Sequence, residues 1–205
     1  MARITFLGTK GNIEESRKGH RKHTSILIRA NRKKILVDWG ESFSRREFLD
    51  IEPHCLVLTH RHPDHVGGLL KLREEDLRNV VVYCTQDVLD WIMENEVPVS
   101  KVKVFDRRQR FKIGDFIAES YPVSHSYNAP NILLKIRVDG DWIAIATDFL
   151  WCRSWRKALK NVRVWIGDGS SPTRDIAWRP KGKDRVGHMS MIHQLDMLKK
   201  AGVPI

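Results

Sequence analysis

The stretch Thr59-His60-Arg61-His62-Pro63-Asp64-His65-Val66-Gly67-Gly68 packs four potential metal ligands into six consecutive positions. In an extended loop His60 and His62 point the same way, so the two imidazoles can grip one ion. Asp64 and His65 follow at a turn and can reach a second. First-row divalent metals accept imidazole nitrogen and carboxylate oxygen together, and hydrolytic sites keep a coordination position open for water. Gly67-Gly68 permits close packing directly behind the ligands. A lone surface histidine carries no such meaning; four donors in this order, after an apolar run, do.

That run, His54 to Thr59, is continuous and reads as a strand covered on both faces. Upstream, Ser25–Ile28 and Lys34–Val37 read as paired strands turning at Ala30-Asn31-Arg32. Downstream, strands are expected at Val80–Tyr83, Val102–Phe105, Phe116–Ser120, Ile132–Val138, Trp142–Ala146 and Val162–Ile166. Helical patterns lie between them. Thr85 is expected to cap Asp87–Met93, Ser154 to cap Trp155–Lys160, and Ser190 to open a final helix. That last helix sets Met191, Ile192, Leu195 and Leu198 at helical spacing and closes at Gly202. Strands interspersed with helices make an α/β class.

The 205 residues suffice for one well-buried domain, expected to span 1–205 without a linker or repeat. Apolar residues at 41% and charged residues at 30% exclude a disordered chain. No apolar run is long enough to span a bilayer, and Met1-Ala2-Arg3-Ile4-Thr5-Phe6 reads as a first strand, so a cytoplasmic, membrane-free protein is expected. Cys55, Cys84 and Cys152 are three in number and form no CxxC pair, which argues against a disulfide framework and a zinc-cysteine site. A net charge of +11 suits two readings, a polyanionic partner, nucleic acid first, and a basic solvated surface.

The His-x-His-x-Asp-His-x-Gly-Gly run of residues 60–68 resembles the metallo-β-lactamase signature, and Phe6-Leu7-Gly8-Thr9 and Val37-Asp38-Trp39-Gly40 resemble that superfamily's opening strands. The resemblance is greatest to the ribonuclease Z and cyclic phosphodiesterase branch. It implies a four-layer αββα sandwich and two divalent metal ions, zinc first, with manganese or iron also suited. His60, His62 and His125 (in Pro122-Val123-Ser124-His125) would hold one ion, Asp64 and His65 the second, and Asp148 (in Ala146-Thr147-Asp148) would bridge them. Relatives usually add a further histidine after the final helix. The sequence stops at Ile205, where the corresponding strand would begin, so this strand and ligand are expected to be lacking. His193 lies on the final helix and is not promoted to ligand.

The same resemblance implies phosphodiester hydrolysis by attack of a metal-bridging hydroxide, with nucleic acid or a cyclic phosphodiester as substrate and a homodimer as a common assembly. Asp64 would assist as base. His188, in Gly187-His188-Met189-Ser190, would serve the leaving oxygen, oriented by Asp168 of Gly167-Asp168-Gly169. Two basic clusters suit a phosphate backbone: Arg17, Lys18, Arg21, Lys22, Arg32, Lys33 and Lys34 early in the chain, then Arg174, Arg179, Lys181, Lys183 and Arg185 with Trp178. No insertion has the length or glycine-proline character of the arm that grips transfer RNA in ribonuclease Z. Two alternatives remain: a thioester or lactone hydrolase of the same fold, and a non-catalytic nucleic-acid-binding module with a partial metal site.

Overall fold

The computed structural model describes residues 2–11, 18, 20–179 and 181–204. Met1, Arg17 and Ile205 of the sequence reading lie outside them. The chain divides into two compact units, Met1–Asp106 and Arg107–Ile205.

The first unit is a six-stranded sheet ordered β1 (Arg3–Gly8), β2 (Ser25–Ala30), β3 (Lys33–Val37), β4 (Cys55–Val57), β5 (Val81–Cys84), β6 (Val102–Val104). The first three strands pair antiparallel, the rest parallel. Asn31 and Arg32 both adopt positive φ, the backbone that a two-residue hairpin demands. Each parallel connection carries helix: α1 (Arg45–Ile51) after β3, α2 (Pro63–Val66) and α3 (Glu74–Leu77) after β4, and α4 (Gln86–Glu94) after β5. Phe48, Leu77, Val88 and Ile92 pack from these helices against Leu27, Leu36, Leu56 and Val82 of the sheet. Alpha-1, unforeseen in the sequence, is held at its start by a reciprocal Ser44–Glu47 capping box and closed by Glu52 in the left-handed region.

The second unit is a five-stranded sheet ordered β11-β10-β9-β8-β7, made of β7 (Arg110–Ile113), β8 (Phe116–Val123), β9 (Asn131–Val138), β10 (Asp141–Ile145) and β11 (Val162–Ile166). The first four form an antiparallel meander. Beta-11 joins parallel after α5 (Trp155–Ala158), as a parallel pair requires a crossover. A hairpin, β12 (Ile176–Trp178) and β13 (Val186–His188), and α6 (Met191–Ala201) complete it. Trp155, Ala158, Met197 and Leu198 join Tyr121, Leu133 and Ala144 in its core.

Several expectations are corrected. The strand expected over residues 54–59 is regular at Cys55–Val57; His54 and Leu58 still donate to Lys34 O and Tyr83 O, and Thr59 leaves the ladder by turning its backbone N–H to the Asp38 side chain. Thr85 and Ser154 stand at helix starts without side-chain caps, and α5 ends at Ala158 rather than Lys160. On α6, Met191, Ile192 and Leu195 are exposed, and Gln194, Met197 and Leu198 are buried. The helix is rotated from its most apolar stripe because Gln194 has partners inside. All three cysteines are buried free thiols, and desolvation pushes Cys84 up to about 12 and Cys152 up to about 11, which makes both poor nucleophiles.

Candidate metal centre

In the first unit, the loop after β4 carries His60, His62, Asp64 and His65, with His62 preceding α2 and Pro63 at its first turn. Asp38 organises this loop. It sits fully buried at φ +60° after β3, and its Oδ1 accepts the Thr59 N–H at 2.8 Å. Its Oδ2 accepts the Thr59 hydroxyl at 2.8 Å and lies 2.8 Å from His65 Nδ1. An ionised carboxylate can only accept, so His65 carries its proton on Nδ1 and turns the Nε2 lone pair away, as a metal-ligating histidine does.

The neighbouring backbone locks the loop from behind. Trp39 N–H donates to His65 O at 2.6 Å, Gly68 N–H to Trp39 O at 3.0 Å, and Glu41 N–H to Pro63 O at 3.0 Å. A Cβ on Gly40 would strike the Asp64 carbonyl, and one on Gly68 would strike Trp39 and the Gly40 carbonyl. The glycines of Asp38-Trp39-Gly40 and Gly67-Gly68 are therefore where two backbones meet. His60 Nε2 lies 3.1 Å from His62 Nδ1, and the His60 ring centroid lies 4.1 Å from that of His65. Asp64 Oδ2 is 3.5 Å from His65 Nε2. Three imidazoles and a carboxylate gathered with His60, Asp64 and His65 buried form a donor set that a divalent cation satisfies.

In the second unit, strand ends present the other candidates: His125 after β8, Asp148 after β10, Asp168 after β11 and His188 at the end of β13. His125 Nδ1 lies 3.4 Å from Gly187 O, and its Nε2 lies 3.7 Å from Asp148 Oδ2. Asn131, buried, donates its amide to Asp148 O at 2.6 Å and fixes that loop. Ligand atoms of Asp148, Asp168 and His188 lie within 4.8 Å of one another. Asp168, however, already accepts Ser170 N–H and Oγ–H on Oδ1, and Phe149 N–H and the His188 ring on Oδ2. A buried carboxylate with that many donors orients a histidine rather than a metal. The Asp168–His188 distance is 2.7 Å, and the pairing orients the His188 ring through Nδ1.

Residues 60, 62, 64 and 65 thus gather in the first unit, and 125, 148, 168 and 188 in the second. His193 instead pairs with Asp175 at 2.8 Å. Sequence reading missed three supports. Ser170 joins the Asp168–His188 pair, a role signalled by the Asp-Gly-Ser turn pattern. Gln194 donates to Asp168 O at 2.7 Å and Met189 O at 2.9 Å and accepts from Trp165 Nε1 at 3.2 Å, so it ties both ends of that pair to α6. His23, buried, accepts Ser42 N–H, and burial lowers its pKa below the ordinary histidine value despite Asp64 and Glu41 nearby. Gln194 also left a hint, as a polar residue amid Met197 and Leu198, and His23 left none.

The sequence model of the β-lactamase superfamily domain matches residues 33–205. Ribonuclease Z of Methanopyrus kandleri is 37% identical over 75 residues, 34% of this chain and 25% of that protein. An octanoyltransferase of Porphyromonas gingivalis is 32% identical over 208 residues, 93% of this chain and 39% of that protein. The chain therefore spans well under half the length of either. Among solved structures, the metallo-β-lactamase fold protein YhfI of Bacillus subtilis superposes with a TM-score of 0.78 at 16% identity, over 98% of this chain and 82% of that one.

Proposed function

The chain belongs to the β-lactamase superfamily, and from that premise we propose that it is a metal-dependent phosphodiesterase acting on nucleic acid or a cyclic phosphodiester. We assign His60, His62 and His125 to one divalent ion and Asp64 and His65 to a second, with Asp148 shared. When bound, such ions polarise a phosphoryl group and make hydroxide available near neutral pH. The chain's own residues do the rest. Asp38 holds His65 in the ligating tautomer, Asn131 holds Asp148 in place, and Asp64 is positioned to accept a proton beside the ligands.

The observation that carries the phosphodiester reading is the Asp168–His188 pair. A half-buried histidine whose Nδ1 proton is held by a carboxylate offers Nε2 as the atom that exchanges a proton with a leaving oxygen. Cleavage of a phosphodiester needs that service, because an alkoxide leaves poorly without a proton. The ribonuclease Z similarity and the net charge of +11 agree with a phosphate-bearing substrate.

The similarity to an octanoyltransferase, which runs along most of this chain, favours a second reading as an acyl-ester or thioester hydrolase. Bis(p-nitrophenyl) phosphate and an octanoyl thioester separate the two. Metal-depleted protein is expected to recover phosphodiester turnover when zinc or manganese is restored, and Asp148→Ala to abolish it. Thioester hydrolysis with no phosphodiester turnover under either metal would replace the first reading with the second.

A further inference from the structure

The second unit encloses an open cavity of 1120 Å³ that takes up guanidiniums from three separate stretches of sequence. Arg108 comes from the bend before β7, Arg153 and Arg156 from α5 and the loop before it, and Arg179 and Arg185 from the two ends of the loop that joins β12 to β13; Lys200 of α6 adds a sixth cation. Three carboxylates share the lining. Asp175 is already engaged by Ser190 N–H and His193, and Asp196 lies 3.7 Å from Lys200. Among the described residues none of the five arginines makes an ion pair with a carboxylate; Arg156 instead lies over the Trp155 ring at 4.4 Å.

Six cations against Asp175, Asp184 and Asp196 leave the concavity with a net positive field. The lining includes chain neighbours of the candidate site residues: Ser124 precedes His125, and Met189 follows His188. Trp151, 46% exposed, lines the same cavity as the cations. Guanidinium groups with an accessible aromatic face are the means by which single strands are held, phosphates by charge and bases by stacking. The cavity also exceeds the roughly 300–1,000 Å³ of an ordinary small-molecule site.

We propose that this cavity is the channel for a single-stranded nucleic acid, running past Trp151 between the hairpin arginines and Arg108, Arg153 and Arg156 toward His188. The inference rests on the phosphodiesterase reading and narrows its substrate from any phosphodiester to a strand. Its features come from residues that sequence alone does not join, since Arg108 and Arg185 are far apart in the chain.

The test is an anisotropy titration of the full-length protein with a fluorescein-labelled single-stranded oligonucleotide whose phosphorothioate links resist hydrolysis. Arg153→Ala combined with Arg185→Ala is expected to weaken binding about tenfold or more, and to lower the slope of log affinity against log salt by about 1.4, at about 0.7 per phosphate contact in a single strand. Trp151→Ala is expected to weaken binding at least about fivefold, in keeping with the value of base stacking. Lys112→Ala with Arg163→Ala removes equal charge outside the cavity and is expected to leave the isotherm in place. Equal weakening by this control pair would overturn the channel, as would adenosine monophosphate binding as tightly as the oligonucleotide. The isotherm is read without turnover. Absent phosphodiester hydrolysis therefore overturns the parent reading alone, and an isotherm unmoved by the arginine substitutions overturns the channel alone.

Discussion

Asp38 spends both carboxylate oxygens on Thr59 and His65, and its positive φ is held in place by that network. An asparagine there keeps the shape but turns an N–H₂ toward one of its donors. Asp38→Asn is therefore expected to weaken metal binding about ten- to a hundredfold, the usual effect of removing a support behind a ligand. Competition with a chromogenic chelator measures it, and unchanged affinity would dismiss Asp38 as a support. Asp168 stands in the same relation to His188. Asp168→Asn and His188→Ala are each expected to cut kcat/KM by about ten- to a hundredfold on a phosphodiester with an alkoxide leaving group, and the double variant by little more than the worse single one, because residues acting as a unit are not additive. Additive losses would mean the two residues act separately.

At the scale of elements, the packing of the helices can be tested one by one. Phe48 is 1% exposed and seats α1 on the sheet. Phe48→Ala is expected to cost about 3–5 kcal/mol in denaturant unfolding, the range for a large buried aromatic. Alpha-1 is also tied to α3, where Arg45 donates to both oxygens of Asp76 at 2.6 and 2.8 Å. That hydrogen bonding holds the Asp76 carboxyl below its ordinary value of 3.8. A group depressed in the folded state stabilises it above the unfolded value and loses that contribution as pH falls through the folded one. Asp76→Asn is thus expected to lower the melting temperature at neutral pH, with the gap from the parent protein closing below about pH 4. A gap that persists in acid would mean that the ion pair is not its source. Gly167 shows how α6 meets β11: a Cβ there would strike Gln194 Oε1 and the Trp165 indole. Gly167→Ala is expected to lower both stability and turnover, since Gln194 also holds the Asp168 backbone.

For the whole molecule, the proposal that donors from both units serve shared ions has a thermodynamic signature. A ligand bound only by the folded chain stabilises it by about 2.7 kcal/mol at a hundredfold excess over its dissociation constant. Zinc is expected to raise the melting temperature of the parent chain, and His60→Ala and Asp148→Ala are each expected to remove most of that rise. A full shift surviving in either variant would show that its residue holds no ion. The apolar stripe of Met191, Ile192 and Leu195, outward-facing with Ile176 and Trp178 exposed as well, belongs to this scale too, because nothing within α6 accounts for it.

Local chemistry wrote much of this protein into its sequence. The ligand loop, the Asn31-Arg32 hairpin and the buried strands are legible because each depends on residues close in the chain: donor spacing, a tight turn, and runs of β-branched side chains. The Asp38-Trp39-Gly40 brace is visible only as a resemblance, since Asp38 meets Thr59 and His65 across 21 and 27 positions. Beta-7, the β12–β13 hairpin and α1 were illegible, since short polar segments take their structure from what they pair with. The rotation of α6 was decided in three dimensions, where the amide of Gln194 found two carbonyls and an indole and outweighed the more apolar stripe. The arginine-lined cavity is likewise a product of tertiary structure alone. Sequence counts its charges, but only folding brings five guanidiniums from distant segments around one space.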